Sequence, residues 1–226
     1  MKKIICLLLV VACAAFMFAC GSDDAFSEKE FFGMIEESEP TGITVKTRTT
    51  RPNGVSYDGY YKTTITEDGF VFDYEYQQRN EQFVEGESSV ETVTGQVTYQ
   101  DGRYIVDGES VAAAPNVAYM NIKLDITADN VGDYKASKDQ KSITSTISKD
   151  NVKAIFGADI DANEAELKVT TNGTYLTKVD LTYTTADGSA VYIEIGYVYV
   201  ATPVAELGRA FLLSEIIARV LYRTLR

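Results

Sequence analysis

Residues 164–200 place the tightest limit on what this chain can fold into, because two dipeptides, Asn172-Gly173 and Asp187-Gly188, interrupt an otherwise alternating stretch. Both supply residues that accept a positive φ, which two-residue hairpins need for their twist to match the flanking strands. Between them Tyr175, Thr177, Val179, Leu181 and Tyr183 fall on one face, and Lys178, Asp180, Thr182 and Thr184 on the other. That is the period of a strand with one wet side, so three consecutive antiparallel strands are expected and the fold is sheet-led.

The same grammar runs through the N-terminal half. Ser27 precedes Glu28-Lys29-Glu30 as a helix cap with Glu30 at the capping-box position. Phe31, Phe32, Met34 and Ile35 give that short helix an apolar stripe, and Pro40 stops it. From Gly42 the period becomes two, with Ile43, Val45 and Thr47 on one face and a turn at Arg51-Pro52-Asn53-Gly54. Strands are expected over 55–66, 70–78, 90–99 and 103–106, with turns at Glu67-Asp68-Gly69 and Asp101-Gly102 and a polar loop over 80–89. On the strand at 70–78, Phe70, Phe72, Tyr74 and Tyr76 share one unusually aromatic face.

Residues 111–149 are less regular. Ile122, Leu124 and Ile126 suggest a strand, 129–140 a loop or short helix, and 143–147 a further strand. Residues 150–157 read as a two-turn helix ended by Gly157. The fold class that follows is mainly β, with a few short helices.

The sequence of 226 residues contains no histidine, which removes the commonest general base and the commonest zinc ligand. No nucleophile motif replaces it, so a non-enzyme without cofactor or metal is expected. Asp159, Asp161 and Asn163 match the start of a calcium loop, but Glu164 stands where the sharp turn needs glycine. Asp73 and Glu75 share a strand face and read as part of a wet sheet surface. Thirty-three acidic residues against 21 basic ones give a net charge of −12, which argues against nucleic acid as a partner.

All three cysteines, Cys6, Cys13 and Cys20, lie in the first 20 residues, so no disulfide staples the folded part. Lys2-Lys3, an apolar run to Ala19 and an abrupt change at Cys20-Gly21-Ser22-Asp23-Asp24 form a secretion signal. Met17-Phe18-Ala19-Cys20 resembles the lipobox of bacterial lipoproteins, whose cysteine receives diacylglycerol before cleavage. Val10-Val11-Ala12-Cys13 is the competing site, and cleavage there would leave an apolar stretch at the new N-terminus. The expected organisation is a lipoprotein signal peptide at 1–20, a tether at 21–25 and a single antiparallel β domain at 26–203. A membrane partner, reached through lipidated Cys20, would hold that domain outside the cytoplasm at the bacterial cell surface.

The order of hairpins, helical interruption and closing meander resembles the LolA/LppX group of lipoprotein carriers and related surface lipoproteins. Residues 69–76 (GFVFDYEY), 99–104 (YQDGRY) and 167–181 (LKVTTNGTYLTKVDL) carry the likeness. The resemblance implies a curved antiparallel sheet or incomplete β-barrel, its concave side closed by helices around the acyl chains of a lipid or other amphiphile. Phe70, Phe72, Tyr74 and Tyr76 would then line the cavity. Their spacing alone equally makes them the core between sheet and helices, as in a surface interaction or sensing module.

Residues 204–226 differ from the rest. Leu207, Phe211, Leu213, Ile217, Val220, Leu221 and Leu225 would cover one arc of a helix, with Arg209, Arg219, Arg223 and Arg226 opposite. A helix closing a barrel mouth, a membrane- or partner-binding helix, and a non-native tail from an altered reading frame all fit this pattern. For the leader, metabolic labelling with palmitate is expected to be lost in Cys20→Ala; unchanged labelling there moves the assignment to Cys13.

Overall fold

The computed structural model describes residues 26–80, 89–120 and 122–199. Cys20 with the leader, the tether, most of the polar loop at 80–89 and residues 204–226 lie outside the described residues. Eleven antiparallel strands form one open, curved sheet. They are β1 (Gly42–Thr50), β2 (Ser56–Thr66), β3 (Gly69–Arg79), β4 (Val90–Gln100), β5 (Arg103–Val106), β6 (Glu109–Val111), β7 (Tyr134–Ala136), β8 (Ser142–Ser148), β9 (Glu164–Thr171), β10 (Leu176–Thr184) and β11 (Ala190–Val198). Three short helices accompany them: α1 (Glu28–Glu36), α2 (Ala128–Val131) and α3 (Lys149–Phe156).

The spatial order is β6-β5-β4-β3-β2-β1-β11-β10-β9-β8-β7. Two meanders, one from each half of the chain, are therefore joined where β1 pairs β11, with Val45 opposite Ile195. The mainly β expectation holds, and the alternation read from the sequence gives the observed faces. Val45, Tyr61, Phe72, Val97, Ile195, Val179, Val169 and Ile143 run across the strands on the concave side and are all buried.

Turn chemistry sets most of the register. At 101–102 and again at 107–108 an Asp-Gly pair has positive φ at both residues, the backbone of a tight two-residue hairpin. The second pair creates β6, a strand not foreseen because it is so short. The meander of β9 to β11 departs from expectation in one way: its loops span 172–175 and 185–189, longer than two residues. The Asn172 side chain accepts from the N–H groups of Thr174 and Tyr175, each at 2.9 Å, and this Asx turn widens the loop. The register then slips between Leu176 and Lys178. The bulge turns Leu176 inward and leaves Tyr175 exposed, the reverse of strict alternation, which resumes at Val179.

Residues 122–127 are the second correction. Their side chains alternate as a strand's would, and Ile126 is buried, but the backbone joins no ladder. Asp125 instead donates its N–H to the carbonyl of Ile155 at 3.0 Å, and its own carbonyl accepts from the Asn130 side chain at 3.0 Å. The segment is extended because it lies over the concave face, carrying the chain from the β6 edge of the sheet to the β7 edge.

Two tyrosine rings of the β2–β5 half pack over glycines, Tyr61 over Gly59 and Tyr74 over Gly95. Tyr74 covers Gly95 on β4, where a Cβ would run into its ring, so glycine in mid-strand is what makes room for the tyrosine. Phe72 is fully buried beneath Tyr61, with ring centres 6.3 Å apart. Truncation by Phe72→Ala is expected to cost about 3–5 kcal/mol from lost transfer energy and the cavity left behind, measured by urea unfolding.

Candidate functional site

The concave face is covered unevenly, and the site arises where cover and sheet fail to meet. Capping fixes two of the covering elements. Ser27 accepts from the Glu30 N–H to begin α1, and Ser148 accepts from the Asn151 N–H to begin α3. Gly157, left-handed at φ 70°, ends α3. Phe31 and Ile35 of α1, and Val152 and Ile155 of α3, turn into the core. The end of α1 is tied down by Ser38, whose hydroxyl donates to the Met34 carbonyl at 2.6 Å and accepts from the Leu176 N–H at 2.9 Å. At the other end, the Tyr134 hydroxyl donates to Glu28 at 2.6 Å within a cluster of Phe26, Phe31 and Phe32.

Between these supports residues 114–120, which end in a turn, and the extended residues 122–127 cross the concavity, and a cavity opens beside each stretch. One, of about 640 Å³, lies between the first stretch, α3 and strands β10 and β11. Met120, Val152, Phe156, Leu181 and Ile193 supply its apolar wall. The other, of about 660 Å³, lies between α1, residues 122–127 and the ends of β1, β10 and β11, walled by Phe32, Ile35, Ile43, Leu124 and Leu176. Ile122 lines both. Each falls in the size range of roughly 300–1,000 Å³ usual for small-molecule sites.

Polar groups enter this apolar setting sparingly. Tyr119 and Tyr183 line the first cavity and Tyr197 the second. None of the three hydroxyls has a hydrogen-bond partner among the described residues. Burial pushes the Tyr119 phenol up to about 12, with Tyr61 and Tyr183 beside it adding to the shift. Burial likewise raises Tyr183 and Tyr197. The walls therefore present neutral hydroxyls at physiological pH. Charge is confined to the rims: Asp159, ion-paired with Lys153 at 3.1 Å, at the first cavity, and Glu36, Lys123 and Asp125 at the second.

Tyr119 also has a positive φ of 61°, a conformation that costs a non-glycine residue energy and is held only where surroundings enforce it. Its ring packs on Tyr61 with centres 4.9 Å apart, which links the bridging segment to the aromatic band of β2 and β3.

Phe70, Phe72, Tyr74 and Tyr76 share the concave face of β3. Phe72 is wholly buried, and the other three are half-buried and packed against the core. Neither of the two cavities has any of the four in its lining. Many of the residues that do line them come from 114–120 and 122–127. Residues 114–120 carry neither a helical nor a strand period, whereas Ile122, Leu124 and Ile126 keep the alternation of a strand, so nothing local marks the second stretch as cover. Among the described residues no group of three metal-ligating side chains gathers.

A phenol whose pKa lies above its unfolded value of about 10 contributes stability below that pH and loses it as pH rises towards the folded value. Stability is accordingly expected to fall between pH 10 and about 12 as Tyr119 ionises. Unfolding measured across that window in Tyr119→Phe should show a shallower pH dependence than in the parent chain.

No known family model and no curated protein matches this chain. Among solved structures, the crystal structure of a LolA superfamily protein from Nitrosomonas europaea is similar over 79% of this chain and 94% of its own, at 8% sequence identity and a TM-score of 0.30.

Proposed function

We propose that this is a non-catalytic lipoprotein, anchored through Cys20 on the outer side of the cell membrane, whose concave face binds a lipid or other amphiphile. The observation that carries the reading is the pair of apolar cavities beneath the bridging residues, with neutral tyrosine hydroxyls set in their walls. Apolar surface of this kind takes up a hydrocarbon portion by the hydrophobic effect. Hydroxyls without a protein partner suit the oxygen atoms of an ester or carboxyl group, to which each can donate a hydrogen bond. The missing histidine supports the non-catalytic part, and the apolar run breaking at Cys20 supports the anchor.

The competing reading, a surface interaction or sensing module, is favoured by the complete burial of Phe72, which serves as core. The two separate by experiment. Solvent extraction and native mass spectrometry of the chain purified from bacteria are expected to find a co-purified amphiphile. Ile122→Asn, which places an amide between both cavities, is expected to weaken binding of a fluorescent fatty acid by about tenfold or more, with a smaller loss of stability than Phe72→Ala. Empty protein that binds no fatty acid leaves the interaction module as the function.

A further inference from the structure

The convex face carries a site of different chemistry. Cross-strand pairing builds two rows there: Tyr192, Arg48 and Asp58 in one, and Glu194, Lys46, Tyr60 and Glu75 in the next. Gln77 extends the first row, its side-chain oxygen accepting from the Asp58 N–H at 3.2 Å. Between the rows is a depression of about 370 Å³.

Both of its cations are held in ion pairs, and the Glu75 carboxylate is left over. Lys46 meets Glu194 at 2.9 Å, and Arg48 grips Asp58 with two nitrogens, at 2.7 and 3.2 Å. An anion entering here finds both cations already neutralised. Hydrogen-bonding capacity remains, because Glu75 and the far end of the Gln77 amide have no partner among the described residues. Two aromatic rings flank the depression, Tyr60 at 43% exposure and Tyr192 at 37%. The Tyr192 ring is oriented by its hydroxyl, which lies 2.9 Å from Asp180 and 3.1 Å from Glu194. The two tyrosines stand two strands apart, about 10 Å in the direction across the sheet. A solubilising surface needs charged side chains, but it needs neither exposed rings nor a hollow between them.

We propose that this depression binds a neutral saccharide. The rings of Tyr60 and Tyr192 meet the C–H faces of the sugar, while Glu75, Gln77 and the outer oxygens of Asp58 receive its hydroxyls. Aromatic side chains with an apolar face and a polar tip suit a ligand that alternates C–H and O–H surface, and planar carboxylate and amide groups bond paired hydroxyls.

Titration of isotope-labelled protein with glucose, N-acetylglucosamine, maltose and cellobiose, followed by backbone amide shifts, tests this. At least one of the four is expected to shift amides of β11, β1, β2 and β3 around the depression. Tyr60→Ala, whose side chain is half in water and whose loss leaves the core intact, should weaken that binding about threefold to tenfold. Shifts by none of the four sugars overturn the proposal, as does binding that is unchanged in Tyr60→Ala and in Tyr192→Ala. Glucuronate binding more tightly than glucose overturns its neutral character. Saturating the concave cavities with fatty acid should leave the sugar response unchanged.

Discussion

Pairing between β1 and β11 is the constraint on which everything else rests, because it alone turns two local meanders into one continuous sheet. It brings together residues 148 positions apart, such as Lys46 and Glu194. Closing so long a loop costs chain entropy before any contact is gained, so the seam must be strong to be worth forming. It is: Val45 and Ile195 face each other across it and are almost wholly buried, and the ladder runs unbroken from Gly42 opposite Val198 to Thr50 opposite Ala190. Every concave-face contact between the halves follows from that alignment.

The halves solve the packing problem differently. On the C-terminal side, Ile143, Leu167, Val169, Val179 and Leu181 interlock with α3 and the bridging segment, and burial is close to complete. On the N-terminal side, aromatic rings run from Tyr61 through Tyr74 to Tyr104, and beyond the seam Phe72 and Val97 are the fully enclosed strand residues. Branched aliphatics need cover to be satisfied, whereas a tyrosine tolerates a half-buried position because its hydroxyl reaches water. The cavities lie beneath the bridging residues on the C-terminal side, the second reaching Ile43 at the start of β1.

Local signals in the sequence were enough for most of the sheet. The Asp101-Gly102 turn, the aromatic face of β3, the capping Ser27 and the terminating Gly157 all act within a few residues, and each is where its chemistry puts it. Long-range information was not legible. Nothing near Ile122, Leu124 or Ile126 tells whether an alternating stretch finds a neighbouring strand or lies alone across others. Leu176 takes an inward place because an Asx turn and a bulge precede it, a shift that strict period-two counting cannot reveal. The first cavity draws on the bridge, α3, β10 and β11, and the second on α1, β1, β10, β11 and the bridge, so only the second needs the β1 and β11 seam.

The bridging segment has a topological meaning as well. It is the only connection between described elements that does not join neighbours in the sheet, since the other strands follow one another in space as in sequence, apart from the seam. The Thr41 N–H donates to the Val198 carbonyl at 2.8 Å, so the beginning of β1 and the end of β11 already touch. A circularly permuted chain, linked there and opened in the bridge, would read as one uninterrupted meander from β7 to β6. Its contact order would be far lower, and chains with local contacts fold faster. The natural connectivity thus accepts slow assembly in exchange for a strap across the concave face, and permutation would separate the speed of folding from the roof of the cavity.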